Sequence, residues 1–186
     1  MDVKQAILQR RNYRSLEPVE ITDELIEDLA ESIQLAPSCF NNQPWRLSFV
    51  YDPLLLKKLH SALSKGNGWG YSASMIIVIS SKKDYDCILK NREYYLFDTG
   101  IATAFLMLRA TELDLVAHPI AGYDEKLVKE ILTIPEGMTV ITLVIVGKHS
   151  KTIDPNLSEK QIETEKQRPE RLPFDKFAFK NSFQSG

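Results

Sequence analysis

Three arginines stand within five residues near the N-terminus, at Arg10, Arg11 and Arg14, with Asn12 between them. A guanidinium group matches a phosphate group through two parallel hydrogen bonds, and the side-chain amide adds a neutral donor and acceptor. The segment therefore predicts a compact site for an anion such as a phosphate. The alternative is that the arginines pair with the stretch 17–35, which carries seven acids and no base. The residues leave both interpretations open.

A loop of small, hydroxyl and amide side chains runs between two prolines, from Pro37 to Pro44, and includes Ser38, Cys39 and Asn41. Such side chains can hydrogen-bond the edge of a planar heterocycle without adding charge. The alternative is an ordinary helix-to-strand connector, which the same turn-forming residues would make.

A third segment, Pro119-Ile120-Ala121-Gly122, lies between a predicted strand and a predicted helix. A glycine there lets the backbone come close to a ligand, and the N–H groups at the start of the helix supply donors. Standing alone, the segment could equally be a plain strand-to-helix turn.

Other catalytic patterns are missing. His60, His118 and His149 have no partner at metal-ligand spacing and no Cys-x-x-Cys occurs, so the sequence predicts no metal site. Neither a Gly-x-Ser-x-Gly elbow nor a phosphate loop is present. The glycines of 66–70 precede a strand instead of opening a helix, which favours a turn. The hard chemistry of an enzyme built this way would fall to a bound cofactor.

Two kinds of element must position these segments. An amphipathic helix is predicted from Thr22 to just before Pro37, because a proline forces the helix to end. A largely apolar helix is predicted over 92–113, and Asp114 after it is expected to have a left-handed backbone conformation. Short β-branched runs at 74–80 and 139–146 are typical of buried strands. Further predicted elements are a first helix before Arg10, strands at 46–51 and 115–118, and helices at 53–63 and 123–132. This irregular order favours an α+β or mixed-sheet α/β/α domain.

Composition limits the class of protein. The chain has 186 residues and a formal net charge of −2, which suits one domain over 1–186 and argues against a broad basic face for nucleic acid. The apolar runs are too short to span a membrane, the N-terminus is unlike a signal peptide, and two cysteines cannot make a disulfide-stapled secreted scaffold. We therefore expect a cytoplasmic protein. From about 151 to 186 we expect an extended tail, whose four phenylalanines pack on another surface.

Together the three segments resemble the nitroreductase family of flavin-dependent oxidoreductases. The family's Arg-Arg-Ser-x-Arg run is similar to residues 10–14, and its Ala-Pro-Ser-x-x-Asn-x-Gln-Pro-Trp loop matches Ala36–Trp45 at every fixed position. Its Gly-Ile-Ala helix start is similar to residues 100–102, its Pro-Ile-x-Gly-Phe/Tyr-Asp turn to 119–124, and a basic residue before Leu-Pro to Arg171.

The resemblance implies an α+β, three-layer α/β/α fold with a mixed, mainly antiparallel central sheet. It also implies a homodimer that exchanges its C-terminal segments and holds FMN at the interface. In this arrangement Arg10, Arg11, Asn12 and Arg14 would hold the phosphate, ribityl and pyrimidine groups of FMN, with Arg171 adding charge at the phosphate. The partner subunit would supply Pro37, Ser38, Cys39 and Asn41. The flavin ring would lie along Pro119, Ile120, Ala121 and Gly122, with a backbone N–H near Gly122 directed at N5.

The resemblance also implies an activity. NAD(P)H would pass a hydride to flavin N5, and a nitroaromatic or quinone-type acceptor would then take it in a ping-pong cycle. Two alternatives stay open: a flavoprotein of the same fold with other chemistry, such as dehalogenation or flavin fragmentation, and a non-catalytic flavin-binding module.

The sequence departs from the family at several positions. Asn12 replaces the usual Ser, Asp114 a common Gly, and Ala121 an acid that some members carry. Cys39 replaces a small hydroxyl residue, and we expect it to be a neutral thiol that lines the site. The chain also lacks the helical insertion that covers the flavin in larger relatives.

Overall fold

The computed structural model describes residues 1–183. The last three residues of the predicted domain and tail lie outside this range. The helices are α1 Val3–Gln9, α2 Asp23–Gln34, α3 Pro53–His60, α4 Tyr94–Glu112, α5 Glu125–Leu132 and α6 Glu159–Lys166. The strands are β1 Leu16–Glu17, β2 Arg46–Val50, β3 Met75–Ser81, β4 Ile88–Leu89, β5 Arg92–Glu93, β6 Val116–Ile120 and β7 Thr139–His149.

Short polar side chains start most of these helices. The Oγ1 atom of Thr22 accepts a hydrogen bond from the Leu25 N–H at 3.2 Å and so caps α2, as its position before the apolar repeat predicts. Asp52 and Asp124 cap α3 and α5 in the same way. Asp114 follows α4 with φ 59°, which confirms the left-handed residue expected there.

The sheet is built around β7, the longest strand. β3 pairs with one edge of β7 and carries β2 on its far side, whereas β6 and then β1 pair with the other edge. Every pairing between the described strands is antiparallel. The α+β class and the mainly antiparallel sheet are therefore confirmed.

Alternate side chains of the two central strands enter different cores. On β3, Ile76 and Val78 join the core beneath α3 and α5, while Met75, Ile77 and Ile79 join the core beneath α2 and α4. Because side chains of a strand alternate between faces, an apolar residue at every position is what a sheet covered on both sides requires. The result is the predicted three-layer arrangement.

Several elements differ from the sequence-based expectation. The helix predicted from residue 92 begins at Tyr94, because residues 88–93 form the β4–β5 hairpin. The helix predicted to reach residue 63 ends at His60, and the predicted turn at 66–70 is part of a 3₁₀ segment, Lys65–Ser72. No prediction was made for α6, which lies within the supposed extended tail. The extended part of the chain begins only after Lys166, and Phe174 and Phe177 there are exposed.

Within the described part of the chain, none of the helices combines the length and the apolar character needed to cross a bilayer.

Candidate cofactor site

The predicted anion segment lines a cavity of about 190 Å³ between the α1–β1 loop and the C-terminal segment. No acidic side chain contributes to the lining. The lining residues are Arg10, Arg11, Asn12, Arg14, Thr164, Arg168, Pro169 and Arg171. Five guanidinium groups around one small cavity make an anion site, because each offers several N–H donors in a planar fork. Arg10, Arg11, Asn12, Arg14 and Arg171 therefore do come together, as predicted.

Helix α6 fixes the arginines from the side opposite the sheet. An Nη atom of Arg11 donates to the backbone oxygens of Thr164 at 2.6 Å and Glu165 at 3.1 Å. An Nη atom of Arg14 donates to the Thr164 hydroxyl at 3.1 Å, and one of Arg10 donates to Asn12 at 2.7 Å. These bonds hold the side chains in place before any ligand arrives.

The Glu165 carboxylate shapes the loop itself. It is buried and accepts hydrogen bonds from the backbone N–H of Arg14 at 2.6 Å and of Ser15 at 3.3 Å. A carboxylate that accepts from two successive N–H groups fixes the backbone from which the Arg14 side chain extends.

The alternative pairing of these arginines with the acidic stretch 17–35 is wrong for the described residues. Its helix α2 is instead bound to α4, where Asp28 accepts from Arg109 at 2.6 Å and Arg109 also reaches Glu112. The cavity arginines lie in none of the ion pairs between described residues, so their charges are left for a ligand.

The electrostatics of the cavity also indicate an anion. Burial lowers the pKa of Arg10, and the nearby positive charges of Arg168 and Arg171 lower it further. Arg168 was not predicted. It donates to the backbone oxygens of Leu8 at 2.6 Å and Arg10 at 2.9 Å, so it closes the cavity over the arginine loop. Like charges confined this closely repel one another, and a bound phosphate would relieve that repulsion.

Aromatic side chains form a second wall beside Arg14. Trp69 is fully buried, its ring stacks on that of His118 at 4.6 Å between centroids, and the Arg14 guanidinium lies 5.9 Å from the Trp69 ring centre. Nδ1 of His118 lies 3.0 Å from the Tyr13 carbonyl oxygen, so it carries the proton and donates. Burial, together with the charges of Arg14 and Arg10, lowers the pKa of His118 to about 4, which keeps the ring neutral at pH 7.

The Pro119–Gly122 segment follows His118 directly and is tied to the 3₁₀ segment Lys65–Ser72. The Gly122 carbonyl oxygen accepts from the Ser64 N–H at 3.0 Å and from the Asn67 side chain at 2.9 Å. A Cβ atom at Gly122 would lie 2.6 Å from Asn67 Nδ2, so only glycine fits without a shift. The Gly122 N–H donates to no acceptor among residues 1–183, and it is free to meet a ligand.

The role of the glycine-containing 3₁₀ segment was not apparent from the sequence. It places Trp69 against His118 and Arg14 at one end and Asn67 against Gly122 at the other. It also borders a groove of about 620 Å³ that shares Arg14 and Thr164 with the anion cavity and adds Lys65 and Lys160. The 3₁₀ segment thereby contacts both the arginine loop, through Trp69, and the Pro119–Gly122 segment, through Asn67.

The amide loop lies apart from this site within the chain. Pro37, Ser38, Cys39 and Asn41 are absent from the lining of the anion cavity. The Cys39 N–H instead donates to Asp98 of α4 at 2.6 Å, and Phe40 beside it is 86% exposed. Two of the three predicted segments thus meet within one chain. The third faces outward from α4.

Cys39 is not the free thiol that the sequence led us to expect. It forms a disulfide with Cys87, with 6.2 Å between the Cα atoms. The two cysteines are 48 residues apart, and no local spacing pattern signals that they meet. The sulfur atoms and a carboxylate oxygen of Asp86 lie within 4.8 Å of one another.

Comparison with known proteins agrees with this architecture. The family model for the nitroreductase family matches residues 7–68 and 56–148. A curated protein of Archaeoglobus fulgidus named "Putative NADH dehydrogenase/NAD(P)H nitroreductase" is 31% identical over 149 residues, covering 76% of this chain and 82% of that protein. The chain therefore belongs to the nitroreductase family.

Two solved structures extend the match to nearly the whole chain. An oxidoreductase described as containing FMN superimposes with a TM-score of 0.82 at 26% identity, covering 100% of this chain and 95% of its own. A protein of Exiguobacterium sibiricum, crystallised in complex with FMN, superimposes with a TM-score of 0.81 at 20% identity, covering 97% and 98%. The second likeness concerns the fold alone.

Proposed function

We propose that this protein binds FMN and uses it to transfer reducing equivalents from NAD(P)H to a second substrate. The observation that carries the proposal is the acid-free cavity of five arginines, in the same chain as a glycine turn whose Gly122 N–H has no acceptor among residues 1–183. Membership of the nitroreductase family supports the same cofactor and donor.

The arginine cavity suits the phosphate of FMN. Arg10, Arg11, Arg168 and Arg171 would hold its oxygens, and Asn12 would bond the ribityl chain. Arg14, which lies between the cavity and the aromatic wall, would reach the pyrimidine side of the ring. Pro119, Ile120, Ala121 and Gly122 would line the ring, because the small residues Ala121 and Gly122 let the backbone approach it closely.

When bound, FMN would supply the redox chemistry of hydride transfer from NAD(P)H. The protein would position the flavin ring and tune its reactivity. The Gly122 N–H would donate a hydrogen bond that fixes the orientation of the ring edge. The positive charge of Arg14 would favour an anionic reduced cofactor. His118 stays neutral and holds the Tyr13 carbonyl, so it adds no charge to compete with Arg14.

A second copy of the chain would complete the site. The amide loop lies beside α4, and large apolar side chains are exposed on α1, around the loop and on α4. They include Val3, Ile7 and Leu8 of α1, Leu35 and Phe40 around the loop, and Leu96, Phe97 and Phe105 of α4. Exposed apolar side chains grouped in this way are typical of an interface. We propose a homodimer in which Pro37, Ser38, Cys39 and Asn41 contact the partner's FMN and the segment after Lys166 packs on the partner.

Nitroaromatic or quinone-type compounds are the proposed acceptors, which would take the place vacated by NAD(P)⁺ in a ping-pong cycle. The test is the visible spectrum of the purified protein, followed by anaerobic mixing with NADH and NADPH. We expect a yellow protein whose flavin absorbance is lost with one or both donors and restored by a quinone. If the flavin stays oxidised with both donors, the protein is a non-catalytic flavin-binding module and the proposed activity is refuted. Halide release from a halogenated aromatic would indicate dehalogenation.

A further inference from the structure

The Cys39–Cys87 pair lies where no part of the proposed redox cycle requires it. We infer that this pair is a reversible thiol–disulfide site whose state controls how tightly the amide loop holds FMN. The control of FMN rests on the proposed function, whereas the thiol–disulfide chemistry does not.

The bond connects two segments that the fold otherwise leaves loosely attached. Cys39 begins the 3₁₀ turn Cys39–Asn41 in the amide loop, and Cys87 immediately precedes the β4–β5 hairpin. The Asn42 side chain also joins the two segments. Its Nδ2 atom donates to Asp86 Oδ1 at 3.2 Å and to Cys87 Sγ at 3.5 Å. Without the disulfide the two segments would be joined by these polar contacts and, through Arg46, by the stacking of its guanidinium on Tyr85 and its bond to the Gln43 carbonyl.

The amide loop has a backbone that needs such a restraint. Phe40, Asn41 and Gln43 all have φ between 48° and 59°, a region in which residues other than glycine are uncommon. Phe40 gains little by burial, since 86% of it is exposed in the single chain. A conformation of this kind persists only where the surroundings hold it. The covalent link to Cys87 is the strongest such restraint among the described residues.

The charges around the sulfur atoms favour the disulfide over thiolates. Asp86 and Asp98 both face the pair, neither takes part in an ion pair among residues 1–183, and one Asp86 oxygen is buried without a hydrogen-bond partner. Burial and the nearby Asp86 carboxylate raise the pKa of Asp98. Reduction to two thiolates would add negative charge beside these carboxyl groups, so reduction must deliver protons together with the electrons.

In the single chain both cysteines are half-buried, and a small thiol can attack from the side of Cys87, which is not among the residues proposed to contact FMN. Two molecules of a glutathione-type thiol would reduce the pair. The first attacks one sulfur to form a mixed disulfide and release the other cysteine, and the second releases the first cysteine and leaves as the low-molecular-weight disulfide. The cysteines gain two electrons and two protons, which the two reagent thiols lose. In the cytoplasm, where the sequence predicts this protein, disulfides are usually transient in this way.

The first experiment counts thiols in the full-length protein. The protein is equilibrated in mixtures of reduced and oxidised glutathione, quenched with acid and alkylated, and its intact mass is measured. We expect a single transition from no alkyl group to two. Two alkyl groups at every ratio would overturn the proposal. So would stoichiometric zinc bound to the reduced protein with both thiols protected, because the cluster of Cys39, Cys87 and Asp86 would then be a metal site.

The second experiment measures FMN release from the oxidised and the reduced protein by the recovery of flavin fluorescence. We expect release to be about fivefold or more faster after reduction, and added FMN to shift the thiol–disulfide equilibrium by the matching factor in affinity, since coupling is reciprocal. In Cys87→Ser, which changes only the far end of the link, release should not respond to glutathione. Equal release rates from both states of the unaltered protein would overturn the control of FMN. If neither the oxidised nor the reduced protein binds FMN, the proposed function is refuted while the thiol count stands.

Discussion

At the scale of single residues, the anion cavity depends on arginines that form no ion pair with any residue of 1–183. We therefore expect the double variant Arg10→Ala, Arg11→Ala to bind FMN more weakly by about 2–4 kcal/mol, if each charged hydrogen bond contributes about 1.5–3 kcal/mol before non-additivity. A fluorescence titration with FMN measures this. Lys126→Ala, which removes an exposed charge on α5, is the control and should leave the affinity unchanged. Full retention of FMN by the double variant would refute the assignment of the cavity.

Gly122 is constrained by space, and the constraint can be tested by a pair of substitutions. Gly122→Ala places a Cβ atom 2.6 Å from Asn67 Nδ2 and should cost about 1–3 kcal/mol of unfolding free energy, as overpacking usually does. Removing the opposing side chain in Gly122→Ala, Asn67→Ala should cost less than the sum of the single changes. Gly66→Ala, with nothing within 4 Å of its Cβ, is the control. Additive effects in urea unfolding would contradict the contact.

His118 gives the protein a predictable response to acid. Its pKa is about 4 when folded and about 6.5 when unfolded, so the unfolded chain binds more protons between those values. Stability is therefore lost as the pH falls from about 6.5 towards 4. At pH 4.5 the loss attributable to His118 should be about 2–3 kcal/mol relative to pH 7.

The variant His118→Asn isolates this effect, because an amide keeps a donor for the Tyr13 carbonyl but does not titrate in this range. Although it is less stable at pH 7 after losing the stack on Trp69, its unfolding free energy should fall less between pH 7 and pH 4.5. Parallel pH profiles for the variant and the unaltered protein would show that another group is responsible.

The sequence revealed those site residues whose types are unusual near one another. Arg10, Arg11 and Arg14 cluster within five residues, and their spacing predicted the anion site. Arg168 and Thr164 could not be found in this way, since they lie about 150 residues further along and a lone arginine in a polar segment carries no local pattern. The Cys39–Cys87 bond was missed for the same reason.

At the scale of elements, α6 is the helix on which the arginine loop depends. Glu165→Gln keeps the size of the side chain but removes the charge that accepts from the Arg14 and Ser15 N–H groups, and it should destabilise the protein by about 1.5–3 kcal/mol. Glu163→Gln, on the exposed side of the same helix, should change stability by less than about 0.5 kcal/mol. Thermal unfolding of the two variants distinguishes a structural carboxylate from a general effect of charge.

Elements with a clear apolar period were predictable, and the others were not. Helix α2 and strands β3 and β7 bury regular apolar positions, so the pattern determines both type and approximate bounds. Helix α6 has a mostly polar sequence and is held by its Ser158 capping box and by bonds to the arginine loop. The β4–β5 hairpin turns at Lys90 and Asn91, both with positive φ, without the Asn-Gly pair that usually signals such a turn.

At the scale of the whole molecule, the proposed dimer depends on the apolar side of α4. Phe97→Glu should therefore yield a monomer that retains little FMN, because a buried charge without a partner is costly and the amide loop would lose its opposite site. Analytical ultracentrifugation and the flavin absorbance measure the two effects. Leu54→Glu, at an equally exposed leucine on α3 on the other side of the sheet, is the matched control. A yellow, monomeric unaltered protein would refute the intersubunit site.

Arg11 and its partner Thr164 in α6 are separated by 153 residues, so this contact can form only late in translation. All strands of the sheet have been synthesised once His149 is made, so the layered scaffold can form early. The pocket for the phosphate is closed only by residues made afterwards. A nascent chain would thus be folded but unable to retain its coenzyme until Thr164, Arg168 and Arg171 have been made.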